Sequence, residues 1–197
     1  MTHPTTSLGE NSTIWHGSPP SDTTGRSCAA TVVDLQAMGF DGVLRVRRAK
    51  QAVYVAATKV LLRSRHASLP AIPPLVHNDL EVMKHFVVTV IPSDEVWVAE
   101  VDSAIAGVLI LSGNSIEHLH VDPDWFAQGL GFALLERAKS GHPETLELWT
   151  FESNTGAQRF YERHAFGAVG GTTGDSEEGA HIHYRWSSQP HVSVAQP

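Results

Sequence analysis

The amino-acid sequence has a single cysteine, Cys28, and no long apolar segment. A lone thiol cannot form a disulfide within the chain, which excludes a secreted scaffold held together by disulfides. The longest apolar stretches, 86–91 and 104–111, fall far short of the roughly 20 residues that a membrane helix needs. Because the first residues do not combine a basic start with an apolar block, no signal peptide is expected either. These absences predict a cytoplasmic protein that does not act at a membrane.

The sequence also lacks any run of lysine and arginine. Its 14 basic residues are outnumbered by 21 acidic ones, for a formal net charge of -7. Proteins bind nucleic acid mainly through clustered basic side chains, so we expect no nucleic-acid partner. The negative charge mildly favours a cationic substrate instead.

Hydrophobic residues make up 42% of the 197 residues, which is enough to bury the core of one domain. Residues 1–40 begin with a stretch rich in Thr, Ser, Pro and Gly, and we expect them to form a disordered or weakly structured leader. Within this leader, the pattern of 28–40 fits either a short helix or a short strand. The domain is predicted to cover 41–187, and the polar residues 188–197 are predicted to form a flexible tail.

The apolar pattern between 43 and 186 changes repeatedly from strand period to helix period. Asn78 has the type and position of a helix N-cap, and Pro92 is expected to stop the helix that begins there. Short turn-forming connections predict antiparallel hairpins between residues 95 and 121. The predicted fold class is therefore α/β, with a mixed, mostly antiparallel sheet flanked by helices on both faces. The predicted strands are 43–46, 95–101, 104–111, 115–121, 145–151, 166–172 and 180–186, and the predicted helices are 49–65, 78–91, 128–139 and 153–164.

A glycine-containing loop stands between the strand that ends at Val121 and the helix that follows it. Gly129 and Gly131 would let backbone N–H groups approach an anion at the helix N-terminus, where the helix dipole favours negative charge. Tight packing of a turn explains the two glycines equally well. A dinucleotide-binding loop is excluded because Leu134 replaces its third glycine, and a Walker loop is excluded because Gly131 is followed by Phe-Ala.

Two motifs give the sequence a resemblance to the GNAT superfamily of acetyl-CoA-dependent N-acetyltransferases. Residues 121–135, VDPDWFAQGLGFALL, are similar to the acetyl-CoA motif of that family. Residues 153–166, SNTGAQRFYERHAF, are similar to its second motif, Asn-x-x-Ala-x-x-Phe-Tyr-x-x-x-Gly-Phe. The resemblance extends over about 44–186 and makes the expected fold a GNAT-like sheet.

The resemblance implies acetyl-CoA as co-substrate, inserted in a V-shaped opening between the strands that end at Val121 and Phe151. The backbone of the first strand would bind the pantetheine arm, and N–H groups of the glycine loop would bind the pyrophosphate. Asn154 matches an Asn that contacts the pantetheine. The implied cofactor-binding residues are Leu119, His120, Val121, Ala127, Gln128, Gly129, Leu130, Gly131, Phe132, Asn154 and Ala157.

The implied reaction moves an acetyl group to a primary amine of a small molecule or peptide by direct attack in a ternary complex. Tyr161 matches the family's Tyr near the thioester sulfur and is the candidate general acid, although a packed aromatic residue would look the same. Glu117 lies on the strand beside the thioester and is the candidate general base, although a solvated strand Glu is an equally good interpretation. A module that binds acyl-CoA with little or no catalysis is the alternative function. A homodimer is compatible with either.

Two positions depart from the family motifs. Phe126 replaces the usual Arg or Gln, which removes a side-chain contact to the pyrophosphate, and Ala165 replaces a usual Gly. If Ala165 is left-handed, its Cβ costs roughly 1–2 kcal/mol.

Histidines recur at alternate positions in two strands. The pairs His118/His120 and His181/His183 each place two rings on one strand face, but no carboxylate or Cys cluster completes a ligand set, so no metal site is expected. Alternation also puts the first pair on the face opposite Glu117. The second pair is a candidate for the wall of the acceptor pocket.

Overall fold

The computed structural model describes residues 31–34, 43–172 and 179–188. The predicted leader, apart from 31–34, and the predicted tail from 189 onward lie outside these residues. Thr31–Asp34 forms a strand, β1, that pairs antiparallel with the next strand. The segment whose pattern fitted helix or strand therefore contains a strand.

In the part of the chain that the structure describes, eight strands form one mixed sheet in the order β1-β2-β3-β4-β5-β6-β8-β7. Every neighbouring pair is antiparallel except β5 and β6, which are parallel. This confirms the predicted mixed, mostly antiparallel sheet. After β1, the strands are β2 (Val43–Arg48), β3 (Glu95–Val101), β4 (Ala104–Ser112), β5 (Ser115–Val121), β6 (Thr145–Phe151), β7 (Gly167–Thr172) and β8 (His181–Ser187).

The helices cover both faces of this sheet, as predicted. The helix α1 packs with one core cluster that includes Val60, Val98 and Val108, and the helix α4 packs with a second cluster that includes Leu109 and Leu134. Neighbouring residues of β3 and β4 thus alternate between the two cores, since side chains of a strand alternate between faces. The helices are α1 (Tyr54–Ala67), α2 (Asp79–His85), α3 (Ile91–Ser93), α4 (Leu130–Gly141) and α5 (Thr155–Arg163), with a π-helical turn Phe86–Val90 between α2 and α3.

Three predicted helices begin later than their apolar patterns indicate. The N–H of Ala49 donates to the carbonyl of Val96, and Lys50 is extended, so the chain still follows the sheet where a helix was predicted. Near α4, Gly129 has a φ of 83°, which is left-handed and delays the helix to Leu130. In α5 the side chain of Asn154 accepts a hydrogen bond from the N–H of Ala157, which makes Asn154 the N-cap.

The helix that follows Asn78 is longer than predicted. Asn78 is its N-cap, with Oδ1 accepting from the N–H groups of Leu80 and Glu81. The expectation that Pro92 stops this helix is wrong, because helical structure continues to Ser93. The π-helical turn before Ile91 widens the helix, and Pro92 then stands in the first turn of α3, where a residue without an N–H is tolerated.

Candidate active site

The parallel strands β5 and β6 form a fork. Only the first two residues of β5 pair with β6, with Ser115 opposite Glu147 and Ile116 opposite Leu148. Beyond that point β5 stays paired with β4, and β6 stays paired with β8 along its whole length. The two strands therefore separate after Ile116 and leave an opening between them, as the resemblance implied.

The edge of β5 that faces the fork has unused backbone groups. The N–H of Asp122 donates to the carbonyl of Ala106 on β4 at 2.8 Å. Backbone groups of successive strand residues point to opposite edges, so Leu119 and Val121 direct their N–H and C=O groups away from β4 and into the fork. His120, which was predicted with them, directs its backbone toward β4 instead.

The loop after β5 presents a row of N–H donors. The first N–H bonded inside the helix belongs to Ala133, which donates to the carbonyl of Gly129 at 2.9 Å. Among the hydrogen bonds of the described residues, none uses the N–H groups of 127–132. Ala127 and Gly129 both have a positive φ, which turns the backbone where these donors begin. Such a row of N–H groups at a helix N-terminus is suited to bind an anion.

Arg63 of α1 partly neutralises the acidic residues beside this loop. Asp122 and Asp124 begin the loop, and Arg63 pairs with both at 3.0 Å. The single guanidinium offsets half of the charge of two carboxylates that would otherwise repel a diphosphate. Phe126, which replaces the family's polar residue, is 45% exposed and offers no hydrogen bond from its side chain.

Gly131 brings α4 close to α5. A Cβ at Gly131 would lie 3.4 Å from Cζ of Phe160 and 3.8 Å from Cγ2 of Val121. Gly131 thus faces both the end of β5 and the helix α5, at the inner end of the fork. Close packing therefore accounts for Gly131, and the binding of an anion by the donor row stays a prediction.

Tyr161 lies in the α4-side core and is only 8% exposed. Its ring packs against Phe160, Phe166 and Tyr184, with centroid distances of 5.2, 5.6 and 6.5 Å. Burial raises the pKa of the Tyr161 phenol, so this side chain stays protonated at neutral pH. The same core contains Ile116, the last paired residue of β5 at the fork.

Asn154 and Ala157 form the cap of α5. The Oδ1 of Asn154 accepts from the N–H of Ala157 at 3.1 Å, which leaves one lone pair of this oxygen and the amide NH₂ for a ligand. Ala165, after α5, has a φ of 65°. Ala165 is therefore left-handed, and the strain expected from its Cβ in that conformation applies.

Glu117 is the extra residue of a β-bulge. Leu111 pairs with Ile116 and Ile110 pairs with His118, which leaves Glu117 without a partner on β4. The strict alternation that separated Glu117 from the histidines does not apply across a bulge. The side chain of Glu117 is exposed, one residue past the fork.

His118 and His120 stack on each other on the α1 side of β5. Their ring centroids are 5.8 Å apart, His118 meets Phe86 edge-on, and Nδ1 of His120 lies 3.3 Å from Oγ of Ser64. Burial, together with the charge of Arg65, lowers the pKa of His118 to about 4, and burial with the neighbouring His118 and Arg65 lowers that of His120 to about 3. Both rings are therefore neutral at pH 7.

His181 and His183 stack on aromatic residues of β6. Each ring centroid lies 4.4 Å from its partner, Phe151 for His181 and Trp149 for His183. No three His, Cys, Asp or Glu side chains come together as a metal site requires, within the ranges that the structure describes. Sequence reasoning missed Trp149, although an apolar residue on the polar face of the alternating strand β6 was a visible signal.

Comparison with known proteins agrees with this geometry. A family model described as acetyltransferase (GNAT) domain matches residues 92–167, which include both motifs. No curated protein matches the chain. Nor does any helix of the described residues have the length and apolarity to cross a membrane.

Solved structures share the fold over most of this chain. YjaB from Escherichia coli, in its apo form, is 25% identical with a TM-score of 0.60, covering 73% of this chain and 97% of its own. An N-acetyltransferase from Staphylococcus aureus Mu50 is 17% identical with a TM-score of 0.57, covering 74% and 99%. The structure of yncA from Salmonella typhimurium, solved with its cofactor acetyl-CoA, is 16% identical with a TM-score of 0.55, covering 76% and 96%. The forked sheet and the glycine loop thus agree with the match of 92–167 to the acetyltransferase (GNAT) domain, and the chain is similar to GNAT N-acetyltransferases in fold.

Proposed function

We propose that this protein transfers an acetyl group from acetyl-CoA to a primary amine of a small molecule or peptide. The observation that carries the proposal is the fork between β5 and β6, which opens directly beside the unbonded N–H groups of 127–132. A ligand that fits both features needs an extended polar arm and an anionic group at its end. Pantetheine with its diphosphate has this shape, and the acetyl-CoA bound to yncA, which shares the fold, supports the same co-substrate.

The residues of the fork suit the parts of acetyl-CoA. Leu119 and Val121 would hydrogen-bond the pantetheine amides as an added strand would, and the amide NH₂ of Asn154 would approach the same arm. The diphosphate would accept from the N–H groups of Ala127, Gln128, Gly129, Leu130, Gly131 and Phe132. His120 lies between the two strand contacts, and Ala157 packs against the α4-side core at the start of α5.

The proposed reaction is a direct attack in a ternary complex. The amine nitrogen forms a bond to the thioester carbonyl carbon, the C–S bond breaks, and CoA leaves as a thiol. One proton leaves the amine and one reaches the sulfur, so no external reagent is required. Glu117, exposed one residue beyond the fork, would take the amine proton directly or through water. Tyr161, held protonated by burial, would supply the proton to the sulfur.

A pair of glycine variants tests the cofactor site. Gly129 and Gly113 both have a positive φ, 83° and 58°, so alanine at either position costs roughly 1–2 kcal/mol of folding stability. Gly113 lies in the β4–β5 turn, with nothing within 4 Å of an added Cβ. We expect Gly129→Ala to weaken CoA binding in calorimetry by about tenfold or more, comparable to losing a hydrogen bond to a charged group, and Gly113→Ala to leave it unchanged. Equal CoA affinity in the two variants would refute the proposal that the N–H groups of 127–132 bind the diphosphate.

Turnover is tested separately by release of CoA thiol with a panel of primary amines. Thiol formation that requires both acetyl-CoA and an amine supports the transferase. Tight CoA binding without thiol release from any amine would replace it by the alternative, an acyl-CoA-binding module.

A further inference from the structure

The face of β6 and β8 that points away from α4 carries two cross-strand pairs of an aromatic residue and a histidine. Trp149 lies opposite His183, with ring centroids 4.4 Å apart and planes inclined by only 7°. Phe151 lies opposite His181 at the same centroid distance and an inclination of 39°. Together, Trp149, Phe151, His181 and His183 form what we call the aromatic wall.

Hydrogen bonds hold one ring of the aromatic wall in place, while the indole of Trp149 remains accessible to solvent. Glu147 accepts from Nε of Arg185 at 2.9 Å and contacts Nε2 of His183 at 3.1 Å, so the imidazole is held in the plane on which Trp149 stacks. The indole nevertheless remains 47% exposed, which leaves its other face available. A flat, preorganised ring of this kind binds another flat ring at little entropic cost.

The aromatic wall begins at the fork. Ile116 and Leu148, the last paired residues of β5 and β6, are both buried in the α4-side core. The next residues on the two strands, Glu117 and Trp149, are therefore the first residues of the two arms of the fork, and Trp149 points to the face opposite Leu148. A carboxylate and an indole face thus border the same opening.

Two carboxylates, Glu117 and Asp94, and one guanidinium, that of Arg65, act electrostatically near this opening, so its net charge is negative. Glu117 is exposed, and Asp94 lies near enough that the charge of Glu117 adds to the larger effect of burial in raising the pKa of Asp94. The neighbouring His118 and His120 carry no charge at neutral pH. An ammonium group is attracted to this place and meets no imidazolium on β5.

We propose that the acceptor is a primary amine attached to a flat aromatic or heteroaromatic ring, with the ring stacked on Trp149 and the amino group beside Glu117. This inference rests on the proposed acetyl transfer and names its substrate class. The ring supplies stacking and a cation–π contribution, and the carboxylate supplies the charge contact. Trp149 is then a specificity-determining residue, since it contacts the acceptor but takes no part in bond making.

The test compares arylalkylamines with alkylamines of matched size, such as phenethylamine with cyclohexylethylamine, in the thiol-release assay, with kcat/KM calculated from the concentration of free amine. In the wild type we expect kcat/KM to favour the aryl compound. Trp149→Ala should lower kcat/KM for the aryl amine by roughly 3- to 10-fold and change that for the alkyl amine less than about 2-fold. Trp149→Phe should restore most of the preference, and the KM for acetyl-CoA should not move in either variant.

Val169→Ala is the matched control, because Val169 is an exposed apolar residue on β7 outside the aromatic wall. Equal loss for aryl and alkyl amines, or no loss for either, would overturn the inference while leaving acetyl transfer intact. A change in oligomeric state of Trp149→Ala would also overturn it, since a second copy would then cover the indole. If the wild type releases no thiol with any amine, acetyl transfer itself fails.

Discussion

The stacked histidines His118 and His120 make a quantitative prediction about acid stability. Their pKa values in the folded protein are about 4 and about 3, against 6.5 for an unperturbed imidazole. Between these limits the unfolded chain binds protons that the folded chain does not, so the free energy of unfolding rises with pH and falls as the solution is acidified. The lowered pKa values thus destabilise the fold only below about pH 6.5.

The magnitude follows from the same values. At pH 5 an unfolded imidazole is almost fully protonated, whereas either folded ring is largely neutral. Protonation then favours the unfolded state by about 2 kcal/mol for each ring, or at most about 4 kcal/mol for the pair. Replacing both rings by Gln keeps polar side chains at these positions but removes the titration. The wild type should therefore lose up to about 4 kcal/mol more than the double variant between pH 7.5 and pH 5.

Urea denaturation at pH 7.5, 6 and 5 measures this difference directly, provided that the denaturant slope stays constant. His85→Gln is the control, because it removes an exposed imidazole on the neighbouring helix α2. Its pH dependence should follow that of the wild type. If the double variant loses as much stability on acidification as the wild type does, the two rings are not buried as neutral groups and the reasoning is refuted.

Two further predictions concern the chemical step. Tyr161→Phe preserves the buried ring and removes only the hydroxyl. We therefore expect kcat to fall by about 10²- to 10⁴-fold, while the calorimetric Kd for acetyl-CoA stays nearly constant. An unchanged kcat would mean that Tyr161 takes no part in the mechanism. Glu117→Gln should shift the acid limb of the pH profile of kcat/KM, and a limb that stays in place would mean that water or the substrate provides the base.

The order of strands and helices in the domain could be predicted from sequence because each signal there is local. β3, β5 and β6 have the predicted bounds, since alternating apolar residues and short turns define them without reference to the rest of the chain. The N-cap at Asn78 is equally local. Asn154 shows the limit of such reasoning, because its side chain caps α5, a structural role that the motif alone did not predict.

Other features depend on partners that are distant in sequence. A terminal hairpin was predictable, but β8, and not β7, lies beside β6. The bulge at Glu117 depends on how β4 aligns with β5, so the local sequence pattern does not predict it. The late start of α1 has the same origin, since the bond from Ala49 to Val96 extends the sheet past the point where helical periodicity begins.

The bulge and the histidines together bear on which group accepts the amine proton in the proposed reaction. Burial and the charge of Arg65 lower the pKa values of His118 and His120 to about 4 and about 3, so both rings are neutral at pH 7. They pack on the α1 side of β5, against Phe86 and Ser64. Glu117 is the carboxylate that the bulge turns out of the ladder at the fork, where water reaches it. In the proposed reaction, the neutral imidazoles add no positive charge beside Glu117. A cationic amine would approach this carboxylate and then lose its proton to it, or through it to water, so that one residue would serve both acceptor binding and activation.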